Sequence, residues 1–114
     1  MDDCLFCKIV NGAIPAERVY EDERAIAIRD VNPKAPAHVL VLPRTHEATL
    51  SEYAAQHDNG DIGHLLRVAA ELGKRYGEER GFRVAVNEGG DGGQTVYHVH
   101  LHVLAGRPFT WPPG

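Results

Sequence analysis

An α+β fold with an antiparallel sheet is what this sequence predicts, on three observations. Short strand-like runs fill the chain up to Pro43 and resume after Phe82, with a single helical stretch between. The connections among the early runs are too short for the helical crossovers a parallel sheet needs. At 114 residues the chain has the length of one compact domain.

The elements follow in order. Residues 18–22 and 24–30, the latter ending in AIAIRD, read as two strands joined by a turn, and HVLVLP at 38–43 as a third. Pro33, Pro36 and Pro43 prevent helix in that region. A short helix over residues 50–57 precedes a long one beginning near Asp58. There Ile62, Leu65, Leu66, Ala69, Leu72 and Tyr76 recur at spacings of three and four, Asp58 or Asn59 can cap the start, and Gly77 or Gly81 can end it. FRVAVN at 82–87 and residues 96–104 read as a strand pair, giving five strands with one long and one short helix. No internal repeat appears, and RPFTWPPG ends the chain as a proline-rich tail.

Hydrophobic content of 43% and charged content of 25% suit a water-soluble domain, and the net charge of −4 supplies no basic field for nucleic acid or acidic membranes. A phosphate-bearing ligand must then be caught by a locally shaped site. The start, MDDCLFCKIV, has neither the positive charge nor the long apolar stretch of a signal peptide, and no run approaches membrane-spanning length, so a cytoplasmic location is expected.

The chemistry concentrates in YHVHLHVL, residues 97–104. On a strand, His98, His100 and His102 share one face while Val99, Leu101 and Val103 share the other. A solvated strand face more usually carries Thr, Lys, Glu and Arg. The preceding connection, EGGDGGQT at 88–95, exceeds a hairpin's needs and is half glycine, which suits backbone N–H groups approaching an anion. It lacks the Gly-Lys-Ser/Thr ending of a Walker loop. Neutral imidazole can attack phosphorus when its other nitrogen is held by an acceptor. His100, at the centre, is the candidate nucleophile, with His102 assisting at the phosphate and Gln94 or Thr95 donating to the scissile oxygen. Spacing alone leaves open that these histidines bind metal. Cys4 and Cys7 could complete a zinc site with His46 or a triad histidine. A redox pair is disfavoured because no strand precedes it and no helix evidently follows.

HVHLHVL, together with FCKIVNGAIPAERVYEDERAIAIRDVNPKAPAHVLVLP, VNEGGDGGQTVYHVHLHVLAGR and the terminal WPPG, resembles the histidine triad (HIT) superfamily over nearly the whole chain, and in particular its Hint-like branch of nucleotide-binding phosphoramidases. The resemblance implies a HIT-like fold in a single domain over 1–114. Residues 1–10 would form a zinc-binding N-terminal segment, residues 106–114 the tail, and a homodimer would extend the sheet. It implies a purine nucleoside 5′-phosphoramidate hydrolase with a nucleotidyl intermediate on His100, His102 at the phosphate, and His38 supporting the nucleophile's ring. Asp30 would hold the ribose, and Asn87, Gly93, Gln94 and Thr95 would surround the phosphate. Leu5, Phe6, Ile9, Ile28, Arg29 and Val31 would form the base pocket, and Trp111 would reach the partner's active site. Thr95 departs from the serine of eukaryotic members, and its extra methyl stiffens the rotamer. The cysteine pair matches prokaryotic members that bind structural zinc, which points to Cys4, Cys7, His46 and His98, with no organic cofactor. Alternatives are a hydrolase whose strand histidines hold a catalytic zinc, a nucleotide-binding interaction module with incidental hydrolysis, and hydrolysis of dinucleoside polyphosphates.

Overall fold

The computed structural model describes residues 3–114; the first two residues of the expected N-terminal metal-binding segment lie outside them. In chain order the elements are α1 (Leu5–Val10), β1 (Arg18–Glu21), β2 (Ala25–Arg29), β3 (Ala37–Pro43), α2 (Leu50–Gln56), α3 (Asn59–Gly77), β4 (Phe82–Val86), α4 (Gly89–Gly92) and β5 (Leu101–Ala105). The strands form one antiparallel sheet in the order β1-β2-β3-β5-β4. The expected five strands and two central helices are present, and α1 and α4 are added to them.

Strand alternation divides the core in two. Ala25 and Ala27 of β2, Val39 and Val41 of β3, and Leu101 and Val103 of β5 face α2 and α3, where they meet Tyr53, Leu65, Val68, Ala69 and Leu72. Ile26, Ile28, Leu40 and Leu42 point to the other side and are covered by Phe6 and Ile9 of α1. Cover on both faces explains why β2 and β3 read as nearly unbroken apolar runs. His38 and His102 lie on the α1 face, with His102 paired opposite Leu40.

Local chemistry fixes the helix starts. Thr49 caps α2 by accepting from the Glu52 N–H at 3.1 Å, and Glu52 returns a carboxylate to the Ala48 N–H at 3.0 Å. Asp58 caps α3 by accepting from the Asp61 N–H at 2.8 Å. The β1–β2 turn is tied to α3 through Asp22, whose carboxylate meets the Tyr20 hydroxyl, His64 Nε2 and the backbone of Arg24 and Ala25. Gly73 lets α3 approach β4 closely, since a Cβ there would lie 2.2 Å from the Phe82 ring. No helix among the described residues is long and apolar enough to cross a membrane.

Candidate active site and adjoining metal-ligand cluster

The histidine run is only partly a strand. β5 begins at Leu101, so His98, at the end of a bend, and His100 stand in a lead-in and His102 alone is in the sheet. The expected strand from residue 96 is shortened because residues 96–100 find partners elsewhere. The Val99 N–H donates to the Glu47 carbonyl at 2.9 Å, and the Val96 carbonyl accepts from the Gln94 amide at 3.1 Å. Side-chain alternation persists: Val99 is buried with the α3-side core, while His98 and His100 meet the Phe6 ring edge at centroid distances of 5.9 and 5.0 Å.

Hydrogen bonds orient each imidazole. His98 Nε2–H donates to the Pro43 carbonyl at 2.9 Å, leaving its Nδ1 lone pair toward the sulfurs of Cys4 and Cys7. His100 Nδ1–H donates to the His98 carbonyl at 2.7 Å, leaving Nε2 as the unprotonated nitrogen. The Lys34 N–H donates to His38 Nδ1 at 3.0 Å, so the proton of neutral His38 sits on Nε2, 3.0 Å from His102 Nδ1 and 3.5 Å from an Asp30 carboxylate oxygen. His102 therefore accepts at Nδ1 and carries its own proton on Nε2. His38 thus touches the ring of His102 rather than that of His100, whose support is a backbone carbonyl.

Burial pushes His38, His98 and His100 below the ordinary imidazole value. His102 is pushed down to about 4, by burial first and then by its neighbours His100 and His38. All four rings are neutral near pH 7.

A cavity of about 620 Å³ opens on this face. Leu5, Phe6, Ile9, Ile28 and Val31 form apolar wall, while Asp30, Arg29, Thr95, His38, His100 and His102 supply the polar part. Arg29 is engaged by Glu17 at 2.7 Å. The structure does not bring every expected residue there. Gln94 is spent on the backbone, donating to the Ala48 carbonyl at 2.7 Å and accepting from the Gly89 N–H at 3.1 Å. It closes the glycine loop instead of facing the cavity. Asn87, just before that loop, and Gly93, within it at φ 88°, lie beside one another, and neither lines the cavity. Trp111 is 83% exposed on the tail, away from this chain's own cavity.

Sequence reasoning missed Ile14, Pro15 and Leu40 in the apolar wall and Lys34, whose main chain orients His38. It also missed the clamp behind the site. His57 sits between Asp61 at 3.0 Å and Glu47 at 3.1 Å, which hold it above the usual imidazole value, and Glu47 in turn holds the lead-in. No periodicity marks such a contact.

Beside the cavity Cys4, Cys7, His46 and His98 converge, their ligand atoms all within 4.8 Å of one another. Cys7 Sγ is 3.3 Å from His46 Nδ1 and 3.6 Å from His98 Nδ1, and Cys4 Sγ is 3.5 Å from His98 Nδ1. A tetrahedral ion with bonds of about 2.0–2.3 Å sets its ligand atoms roughly 3.3–3.8 Å apart, so this group could hold a metal ion. Its chemistry fits as well, because two thiolates and two imidazoles, that of His98 held through its far nitrogen by the Pro43 carbonyl, are a zinc-type donor set. Burial, followed by the neighbouring Cys4, pushes the metal-free Cys7 thiol up to about 11. A helix does follow the first cysteine: Cys4 caps α1 by accepting from the Cys7 N–H at 3.3 Å.

No metal-capable group among the described residues combines the three triad histidines. His98 belongs instead to the cysteine cluster. Asp30, His38 and His102 are also close together, but His38 Nδ1 accepts a backbone N–H, which keeps the Nε2 proton in place and makes this group a hydrogen-bonded relay.

Residues 11–109 match the HIT domain family model. A 14 kDa zinc-binding protein of Zea mays is 44% identical over 111 residues, covering 96% of this chain and 87% of that protein. The crystal structure of a HIT family hydrolase from Legionella pneumophila superposes with a TM-score of 0.88 at 44% identity, covering 98% of this chain and all of that one. A Zn-bound histidine triad family protein from Mycobacterium smegmatis superposes with a TM-score of 0.81 at 34% identity, covering 93% of this chain and 76% of that one.

Proposed function

The chain belongs to the HIT family, and within it we propose a hydrolase of purine nucleoside 5′-phosphoramidates acting through a nucleotidyl-histidine on His100. The observation that carries this is the tautomer pattern. One buried ring presents a lone pair to the cavity side, and its neighbour presents a proton.

The base enters the apolar part of the cavity and Asp30 accepts from the ribose hydroxyls. His100 Nε2 attacks phosphorus, the phosphorus–nitrogen bond breaks, and the electron pair leaves with the amine, which takes a proton from His102 Nε2. His38 Nε2–H stabilises the His102 ring through Nδ1. Thr95 donates its hydroxyl at the leaving atom. Water then cleaves the phosphorus–Nε2 bond, returns a proton to His102 and releases the nucleoside monophosphate. The experiment is a hydrolysis assay with rapid quench and intact-protein mass spectrometry: a one-nucleotide adduct is expected to rise and decay within a turnover, and turnover with no adduct would contradict the scheme.

We assign zinc to Cys4, Cys7, His46 and His98 as a structural ion. All four positions are protein ligands, leaving none for water. The zinc-binding relatives support that choice of metal. The two free cysteines suit a reducing compartment, in keeping with a cytoplasmic location.

Neutral rings make a prediction about pH. A proton on His100 removes the attacking lone pair, and a proton on His102 Nδ1 displaces the hydrogen bond that His38 Nε2–H donates there, so kcat/KM falls as pH drops through their folded values. Those values lie below 6.5, near 4 for His102. The acid limb of the pH profile, corrected for uncatalysed hydrolysis, is expected below 6.5, and a limb centred at 6.5 or above would show solvated histidines instead.

The proposed homodimer rests on β4, the sheet edge, where Phe82, Val84 and Val86 are 39%, 37% and 37% exposed. An apolar unpaired edge is a site for strand pairing. Val84→Glu is expected to convert a dimer to a monomer by sedimentation, with little effect on the monomer's fold because the side chain is already partly in water.

A further inference from the structure

The peptide unit between His98 and Val99 is held at both of its polar groups. Its carbonyl accepts from His100 Nδ1–H at 2.7 Å, and its N–H donates to the Glu47 carbonyl at 2.9 Å. A planar trans unit cannot turn one of these groups without turning the other, so the Glu47 bond aims the carbonyl at His100. Glu47 lies outside every helix and strand, so no regular ladder holds its main chain. Its side chain anchors it instead. The carboxylate accepts from the Thr45 hydroxyl at 2.9 Å and from His57 Nε2–H at 3.1 Å, while His57 Nδ1–H donates to Asp61 at 3.0 Å. Ionised carboxylates only accept, so both ring nitrogens of His57 donate. The ring also stacks on the buried Tyr53, with centroids 4.1 Å apart and planes 18° from parallel.

We propose that His57 is a positioning residue: by tying Glu47 to the start of α3 it holds the His98–Val99 peptide, and through that peptide it keeps the proton of His100 on Nδ1 and the lone pair on Nε2. The role presupposes the phosphoramidase reading above, with His100 Nε2 as the attacking atom. None of residues 44–61 lines the cavity, so His57 acts on the attacking ring without touching the nucleotide. The next carbonyl along, that of Ala48, accepts from the Gln94 amide, so the same short segment also braces the glycine loop. Without the His57 tie the Glu47 main chain shifts, the His98 carbonyl leaves His100, and the imidazole proton redistributes between its two nitrogens. A ring protonated on Nε2 has no lone pair there with which to attack.

The test reads the histidine side chains by long-range proton–nitrogen NMR at neutral pH, beside steady-state kinetics on a nucleoside 5′-phosphoramidate and a zinc assay of each purified protein. In the wild type His100 is expected as a single tautomer with its proton on Nδ1. His57→Ala and Glu47→Ala are each expected to turn His100 into a mixture of tautomers and to lower kcat about fivefold to tenfold, with KM within about twofold and zinc content unchanged. Glu47→Gln keeps an acceptor for His57 and restores most of both readouts. Asp61→Asn, the milder change at the outer end of the clamp, moves them in the same direction but less. A His100 tautomer and a kcat unchanged within twofold in folded His57→Ala and Glu47→Ala overturn the assignment, and so does a fall in kcat that tracks lost zinc. A wild type without turnover overturns the phosphoramidase reading instead, and the tautomer readout then decides whether His57 holds the His100 ring.

Discussion

His100→Ala is expected to lower kcat/KM for a nucleoside 5′-phosphoramidate by on the order of 10⁴-fold to 10⁶-fold, as removal of an activated nucleophile does. It is also expected to abolish the covalent adduct. The size follows from what no other group can replace. His98 has its Nδ1 committed to the sulfurs, and His102 has its Nδ1 committed to His38 and a proton on the other nitrogen. Neither ring has a second lone pair to offer. His102→Ala should cost less, roughly 10²-fold to 10³-fold, because it removes a stabilising donor while the attacking atom stays. His38→Ala should cost less again, acting through His102. Adduct formation separates the three: absent in His100→Ala, slow but present in the other two. Nucleotide affinity, measured by calorimetry, checks that His100→Ala keeps the cavity. An active His100→Ala variant, or one that still forms the adduct, would remove the nucleophile from the proposal.

Strands, central helices and the composition of the site were legible in the sequence because each leaves a local signal. The nearly unbroken apolar runs AIAIR and HVLVL mark strands that lie between two cores, and the three-four spacing from Ile62 to Tyr76 marks the face that α3 turns to the sheet, Leu66 excepted at 55% exposed. Other features depend on contacts between distant residues. Whether residue 98 is strand or lead-in is decided by Glu47, 52 positions before Val99, which receives its N–H. The partner of His38 is settled by the diagonal neighbourhood of β3 and β5 together with the Lys34 N–H, neither visible in a run of residues. Gln94 looked like a phosphate ligand because it adjoins the glycines. The packed loop turns it inward to satisfy backbone groups that burial would otherwise strand. The α1 helix is six residues long and has no full apolar period, so its two buried residues, Phe6 and Ile9, carry too little pattern to announce it.

Cys4→Ser and Cys7→Ser test the coupling between the metal-ligand cluster and the catalytic rings. Serine is a poor zinc ligand, so each variant is expected to purify with zinc well below one equivalent by atomic spectroscopy. A ligand bound only by the native state at 1,000 times its dissociation constant stabilises by about 4 kcal/mol. For a domain of this size that corresponds to a fall in Tm on the order of 15 °C. Stability is the smaller part of the argument. His98 is fully buried, and its carbonyl is the acceptor that keeps His100 Nδ1 protonated and Nε2 bare. Its side chain is fixed at one end by Pro43 and at the other by the two sulfurs. Releasing the sulfur end lets residue 98 shift, so the His100 ring loses its tautomer and aim. The expected signature is a kcat lowered about tenfold together with a raised KM, because Leu5 and Phe6 of the apolar wall lie between the two cysteines at the start of α1 and loosen with them. Chelation of the wild type should reproduce both effects, and added zinc should reverse them in the wild type alone. Cysteine variants that keep the wild-type Tm and kcat while holding no metal would uncouple the two sites and reduce Cys4, Cys7 and His46 to packing residues.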